Sequence, residues 1–168
     1  MVRGNLHVGS ISPYSQCSVG TSVLPAPAAA AWPSANRAYF VPFRLPIAVT
    51  VYKMACGTGT GTTGNFDLGI YDSFGNRLVS TGSTAKTTAS SERIVDVTDT
   101  FLLPGFYYLA MVTDGVTNYV QVVFNNLGKT KLAGIREMAT AFALPATATL
   151  ASATFNCVPA VAAYLRAD

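Results

Sequence analysis

Residues with the chemistry for catalysis are few in this sequence and poorly grouped. His7 is the single histidine, so a Ser-His-Asp or Cys-His device would have to be built on it. It sits in an irregular opening stretch, remote in sequence from Cys17, Cys56 and Cys157, and no nucleophile-elbow pattern is present. An ordinary loop histidine is the better reading. The eight carboxylates offer two close pairs: Asp67 and Asp72 flank a short apolar run, and Asp96 and Asp99 frame Val97-Thr98. Paired carboxylates can cleave glycosidic bonds or hold calcium. Asp72, Asp96 and Asp99, however, fall where strands are expected to end, and Asp favours such places because its side chain bonds the turn backbone. Turn duty is the expectation for these three. No catalytic residue, cofactor-binding residue or metal ligand is assigned, no cofactor is expected, and the chain is read as a non-enzyme.

Three other patterns invite a functional reading. Residues 59–64 match G-x-G-x-x-G and follow an expected strand. A dinucleotide site needs a helix next, whose free N–H groups hold the pyrophosphate. Here Phe66, Leu68 and Ile70 alternate against Asn65, Asp67 and Gly69, which is strand period, so the run is a loop between strands. Cys17, Cys56 and Cys157 are odd in number and lack C-x-x-C spacing, which argues for buried thiols rather than disulfides or zinc. Trp32, Tyr107, Tyr108 and Tyr119 could form a platform for stacking sugars, but strands favour aromatics and packing is the simpler account.

Composition points away from a free enzyme. Charged residues make up 11% of the 168, against about 25% in an average soluble domain, while 50% are hydrophobic. Ala, Thr, Ser and Gly must cover much of the outside, giving a weakly charged surface suited to packing against copies of itself or a larger assembly. The net charge of +3 and the scatter of eleven basic residues exclude a nucleic-acid footprint. No run of about 18 apolar residues is present to span a membrane. The start carries no signal-peptide pattern, so the chain is expected to stay where it is made unless it leaves inside a larger particle.

The elements behind these residues read as short strands between Gly, Pro, Asn and Asp. Residues 1–35 lack a useful period and form an expected extended arm with apolar anchors at Leu6, Val8, Ile11, Leu24 and Trp32. Residues 36–168 form the expected domain. Pro42 marks an edge or a bulge. Residues 47–56 alternate as a strand, and residues 66–71 and 77–80 form a hairpin across Asp72–Asn76. Pro104-Gly105 is expected to be a type II turn with positive φ at the glycine, leading into 106–112. That segment is apolar on both faces, as in a strand covered on one side by the opposite sheet and on the other by an arm or a neighbour. Asp114-Gly115 is expected to reverse the chain so that 119–124 pairs back. Residues 134–139 fit a helical turn or a strand, and 161–166 has strand period. About eight strands and no convincing helix make this an all-β chain, a β-sandwich, with a jelly-roll as the leading version.

Several stretches carry a family resemblance: residues 36–44 (NRAYFVPFR), 65–75 (NFDLGIYDSFG), 78–83 (LVSTGS) and 103–110 (LPGFYYLA). They resemble a group of small tailed-bacteriophage structural proteins with a β-sandwich domain, variously tail, fibre or head-decoration components. The resemblance covers roughly residues 32 to 115 and carries fold motifs, with no catalytic residues. It implies a virion protein made in the bacterial host cytoplasm. A short chain with an arm, and no repeat or coiled coil to build a fibre shaft, favours a capsid cement or decoration protein. Its expected partners are other copies, with a trimer favoured, and other virion proteins, the major capsid protein first. Leu6, Ile11, Leu24 and Trp32 are the expected assembly contacts. The alternative is a tail or fibre module that binds a carbohydrate receptor.

Overall fold

Period-two apolar alternation between turn residues yields strands almost throughout. The computed structural model describes residues 28–117, 120–124, 127–139 and 142–167. Within them run β1 (Ala28–Ala30), β2 (Arg37–Leu45), β3 (Val49–Gly57), β4 (Asn65–Asp72), β5 (Arg77–Ser80), β6 (Thr84–Ala85) and β7 (Glu92–Leu102). Then come β8 (Gly105–Thr113), β9 (Val120–Phe124), a short helix α1 (Leu127–Leu132), β10 (Arg136–Ala139), β11 (Ala151–Ser152), β12 (Cys157–Pro159) and β13 (Val161–Ala167). The chain is an all-β sandwich. One broad antiparallel sheet has the order β11-β10-β2-β8-β4-β5, with β6 also on β4. Against it lie two three-stranded sheets, β13-β3-β7 and β1-β9-β12, joined by a bridge between Thr58 and Val120. This order does not establish a jelly-roll.

Alternation decides the two faces of the broad sheet. Tyr39, Val41, Phe43 and Leu45 of β2, Phe66, Leu68 and Ile70 of β4, and Tyr107, Leu109 and Met111 of β8 share one core with Val49, Val51, Met54, Val161, Ala163 and Leu165. Each fully buried Val, Leu, Ile, Phe or Met among them contributes roughly 1.5–3 kcal/mol. The other face carries Ala38, Phe40, Tyr71, Tyr108, Ala110 and Val112, which form a second core with Leu144 and Ala148. Its cover is the strap 142–150, which begins with a cis peptide between Phe142 and Ala143. Tyr71 donates its hydroxyl to the Pro145 carbonyl at 2.6 Å, Ala148 N–H bonds Gly75 O at 2.8 Å, and Arg77 reaches Leu144 O. The two-sided apolarity of β8 thus reflects two covers, the opposite layer as expected and, in place of an arm or a neighbour, this strap.

Several local expectations need correction. Residues 28–30, placed in the arm from sequence, pair with β9 as β1, and Trp32 is 1% exposed, so residues 28–35 belong to the sandwich. Residues 1–27 lie outside the described residues. β9 does not pair back on β8; β8 lies between β2 and β4, and β9 lies between β1 and β12. Pro104-Gly105 is not a type II turn, since Gly105 lacks positive φ and the segment carries the chain from one layer to the other. Pro42 lies inside β2 opposite Tyr108, but β10 stops pairing at Phe40, so this half of β2 has only β8 beside it. Residues 134–139 resolve as a turn and then β10, after α1, a helix the sequence reading did not find.

Candidate assembly surface

Strand register gathers five exposed apolar side chains at one end of the sandwich. Leu45 at the end of β2 faces Gly105 at the start of β8, and Asp72 at the end of β4 faces Tyr107. In the opposite layer Val49, the first residue of β3, faces Leu102, the last of β7. The β2–β3 turn, the β4–β5 turn and the β7–β8 corner therefore share one pole. There Ile47 is 47% exposed, Phe74 85%, Phe101 55%, Leu103 63% and Phe106 46%. The reason is periodicity: in Phe101-Leu102-Leu103 the middle residue is buried, so its neighbours must point out. Phe101 faces out of the β13-β3-β7 layer and Phe106 out of the strap side of the broad sheet, so these side chains ring the pole from both layers.

The pole is held rigidly from beneath. Tyr107, near the start of β8, donates its hydroxyl to the Leu103 carbonyl at 2.8 Å. This is the arrangement of a tyrosine corner, which fixes a crossing between sheets. The Tyr107 ring lies close over Gly105: a Cβ there would be 3.2 Å from Tyr107 Cε2. Phe43 packs on the same ring, and Phe106 meets Tyr108 edge-on at 5.2 Å between centroids. At the β4–β5 turn Asp72 accepts hydrogen bonds from Phe74 N–H, Asn76 N–H and Asn76 Nδ2, while Gly75 adopts φ +87°. Slight desolvation of Asp72 opposes these bonds, but the bonds win and hold its carboxyl below the ordinary value. Turn duty, expected of Asp72, is what it performs.

The other chemistry-bearing residues serve the scaffold. Asp96 and Asp99 are not turn residues; both lie within β7, whose residues 97–99 bulge opposite Tyr52 of β3. Asp96 pairs with Lys53 at 3.2 Å and Asp99 with Arg166. Asp67 is fully buried and accepts from Ser80 Oγ at 3.0 Å, Thr81 Oγ1 at 3.2 Å and Leu144 N–H at 3.0 Å, tying the strap to β4. Burial raises its carboxyl above the usual value against those hydrogen bonds and the nearby Arg77 charge. Glu137 takes Arg37 Nη1 and Thr154 Oγ1, each at 2.6 Å, and knits β10 to β2. Cys56 and Cys157 are free and buried, and burial pushes both thiols up to about 12. Among the described residues no three His, Cys, Asp or Glu side chains are placed to hold a metal ion.

Of the four residues expected to make assembly contacts, Trp32 alone is described, and it is not exposed. Trp32 is buried in the protein's own core, edge-on to Tyr39, with its Nε1–H donating to Arg37 O at 2.8 Å. Leu6, Ile11 and Leu24 lie outside the described residues. Nor do Trp32, Tyr107 and Tyr108 form a sugar-stacking platform, because all three are buried, and Tyr119 lies outside the described residues. A sequence signal for the pole lies only in Phe101 and Leu103, which fall out of phase with buried Leu102; Ile47 is in phase with buried Val49 and Val51 and is exposed all the same. No family model, curated protein or solved structure matches this chain.

Proposed function

We propose that this chain is a structural protein of a tailed-bacteriophage particle, a cement or decoration component that assembles with its own copies on the capsid. The observation that carries the reading is the apolar pole on a chain with only 11% charged residues. A free monomer gains nothing from keeping Phe74, Phe101, Leu103 and Phe106 in water, whereas an assembled one buries them. The fold motifs that resemble phage virion proteins, residues 36–44, 65–75 and 103–110, supply the choice of particle. They are also the segments that build the pole and its support.

The test is particle stability. Particles assembled without the chain should release DNA at a lower temperature than complete ones, and added purified protein should rebind and restore the difference. Equal heat resistance, together with no rebinding, would refute the reading.

A further inference from the structure

We infer that Arg37, Tyr39 and Glu137 form a binding site for one buried water molecule, which completes a polar cluster joining β2, β10 and residues 153–157. The inference goes beyond the particle reading and does not depend on it. Among the described residues four buried side-chain polar atoms meet no hydrogen-bond partner, and three of them are Arg37 Nε, Tyr39 Oη and Glu137 Oε2. Buried polar groups are normally bonded, because an unmet one keeps the full cost of leaving water. Three in one place point to a shared partner.

Strand register brings them together. Glu137 of β10 lies directly opposite Tyr39 of β2, and Arg37 is two residues along the same strand, so the three side chains leave the sheet on one face. Arg37 Nη1 donates to Glu137 Oε1 at 2.6 Å, so Nε and Oε2 belong to two groups already in contact. Thr154 Oγ1 donates to the same Oε1, also at 2.6 Å, and leaves Oε2 without a donor. Burial, then the nearby Cys157 thiol and the Glu137 charge, push the Tyr39 phenol up, while the Arg37 charge pulls it down. The hydroxyl thus lies within electrostatic reach of both partners. The place is closed to bulk solvent. Tyr39 is 0% exposed and Glu137 4%, Trp32 stands edge-on to the Tyr39 ring, and the Arg37 guanidinium lies 5.0 Å from the centre of the Phe155 ring.

The donor set selects the ligand. Arg37 Nε–H can only donate and a carboxylate oxygen can only accept, so one species serving both must accept and donate at once. A chloride or a carboxylate has nothing to donate to Glu137, and an ammonium or a metal cation cannot accept from Arg37. Water does both and keeps a further bond for the Tyr39 hydroxyl. Three polar partners is the usual number for a buried water.

Tyr39→Phe in the full-length chain tests the site, because the sign of its effect depends on the water. A hydroxyl buried without a partner is better removed, and phenylalanine would then leave stability unchanged or improved. A hydroxyl bonded to the water contributes, so Tyr39→Phe should raise the unfolding constant about 5–10-fold in urea titrations while circular dichroism shows the same fold. A crystal structure of the wild type should show an ordered water about 2.7–3.2 Å from Arg37 Nε, Tyr39 Oη and Glu137 Oε2. Two results would each overturn the inference: an unfolding constant of Tyr39→Phe equal to or below that of the wild type, or crystals in which the Tyr39 hydroxyl bonds Glu137 directly with no water between them.

Discussion

Asp67 offers a quantitative test of how the strap is held. Its buried carboxylate accepts from Leu144 N–H, Ser80 Oγ and Thr81 Oγ1. Asp67→Ala leaves the Leu144 N–H buried without its acceptor, a loss of about 1–3 kcal/mol. Ser80 and Thr81 lose an acceptor too, although Thr81 Oγ1 also lies 3.3 Å from Gly82 O. The total should be roughly 2–4 kcal/mol, which lowers the melting temperature by about 2–4 °C per kcal/mol in a chain this long. Asp67→Asn should cost under about 1 kcal/mol, since its oxygen can face Leu144 N–H while its amide donates to the two hydroxyls. The pair also differs with pH. Burial raises the folded-state carboxyl above its unfolded value, so the native protein binds this proton more readily. Wild-type stability, measured relative to Asp67→Asn, should therefore fall as pH rises from about 4 through the raised folded value, and be level above it. Urea unfolding of the three proteins at several pH values reads both effects. An alanine variant within about 0.5 kcal/mol of wild type, or a difference that grows with pH, would refute this account of the strap.

Three further outcomes follow from named contacts. Gly75→Ala forces a residue with φ +87° and puts its Cβ 2.4 Å from Ala148 O, so it should destabilise by at least about 2 kcal/mol by thermal unfolding. Tyr107→Phe removes the hydroxyl bond to Leu103 O and should cost about 1 kcal/mol while leaving the sheets intact by circular dichroism. A disulfide thiol reagent at pH 8 should modify at most one of the three cysteines in the native protein, because Cys56 and Cys157 are buried with thiols raised to about 12, and all three after denaturation.

Strand character was legible wherever period two ran unbroken. The β4–β5 hairpin, with Asp72 and Gly75 in its turn, and the two-sided burial of β8 could be read directly. Partners were less legible, because alternation fixes which face is apolar and says nothing about which strand lies alongside. Thus β9 was expected beside β8 across Asp114-Gly115, yet it joins β1 and β12 in the opposite layer. Pro104-Gly105 has the composition of a tight turn, yet Gly105 lacks positive φ and the chain there crosses between layers, with the Tyr107 ring close against it. Asp96 and Asp99 read as turn residues because Asp favours strand ends, and their cationic partners, Lys53 and Arg166, lie on other strands, far away in sequence. The pole was hidden for a related reason. Phe101, Leu103 and Phe106 lie in the chain's densest apolar stretch, and only the phase set by buried Leu102 and Tyr107 shows that they face outward.

The central claim, a structural role on the capsid, is tested most directly by imaging. Electron microscopy of particles carrying a label on this chain should show it arrayed regularly over the head. Label confined to the tail tip, or absent from particles altogether, would contradict the account.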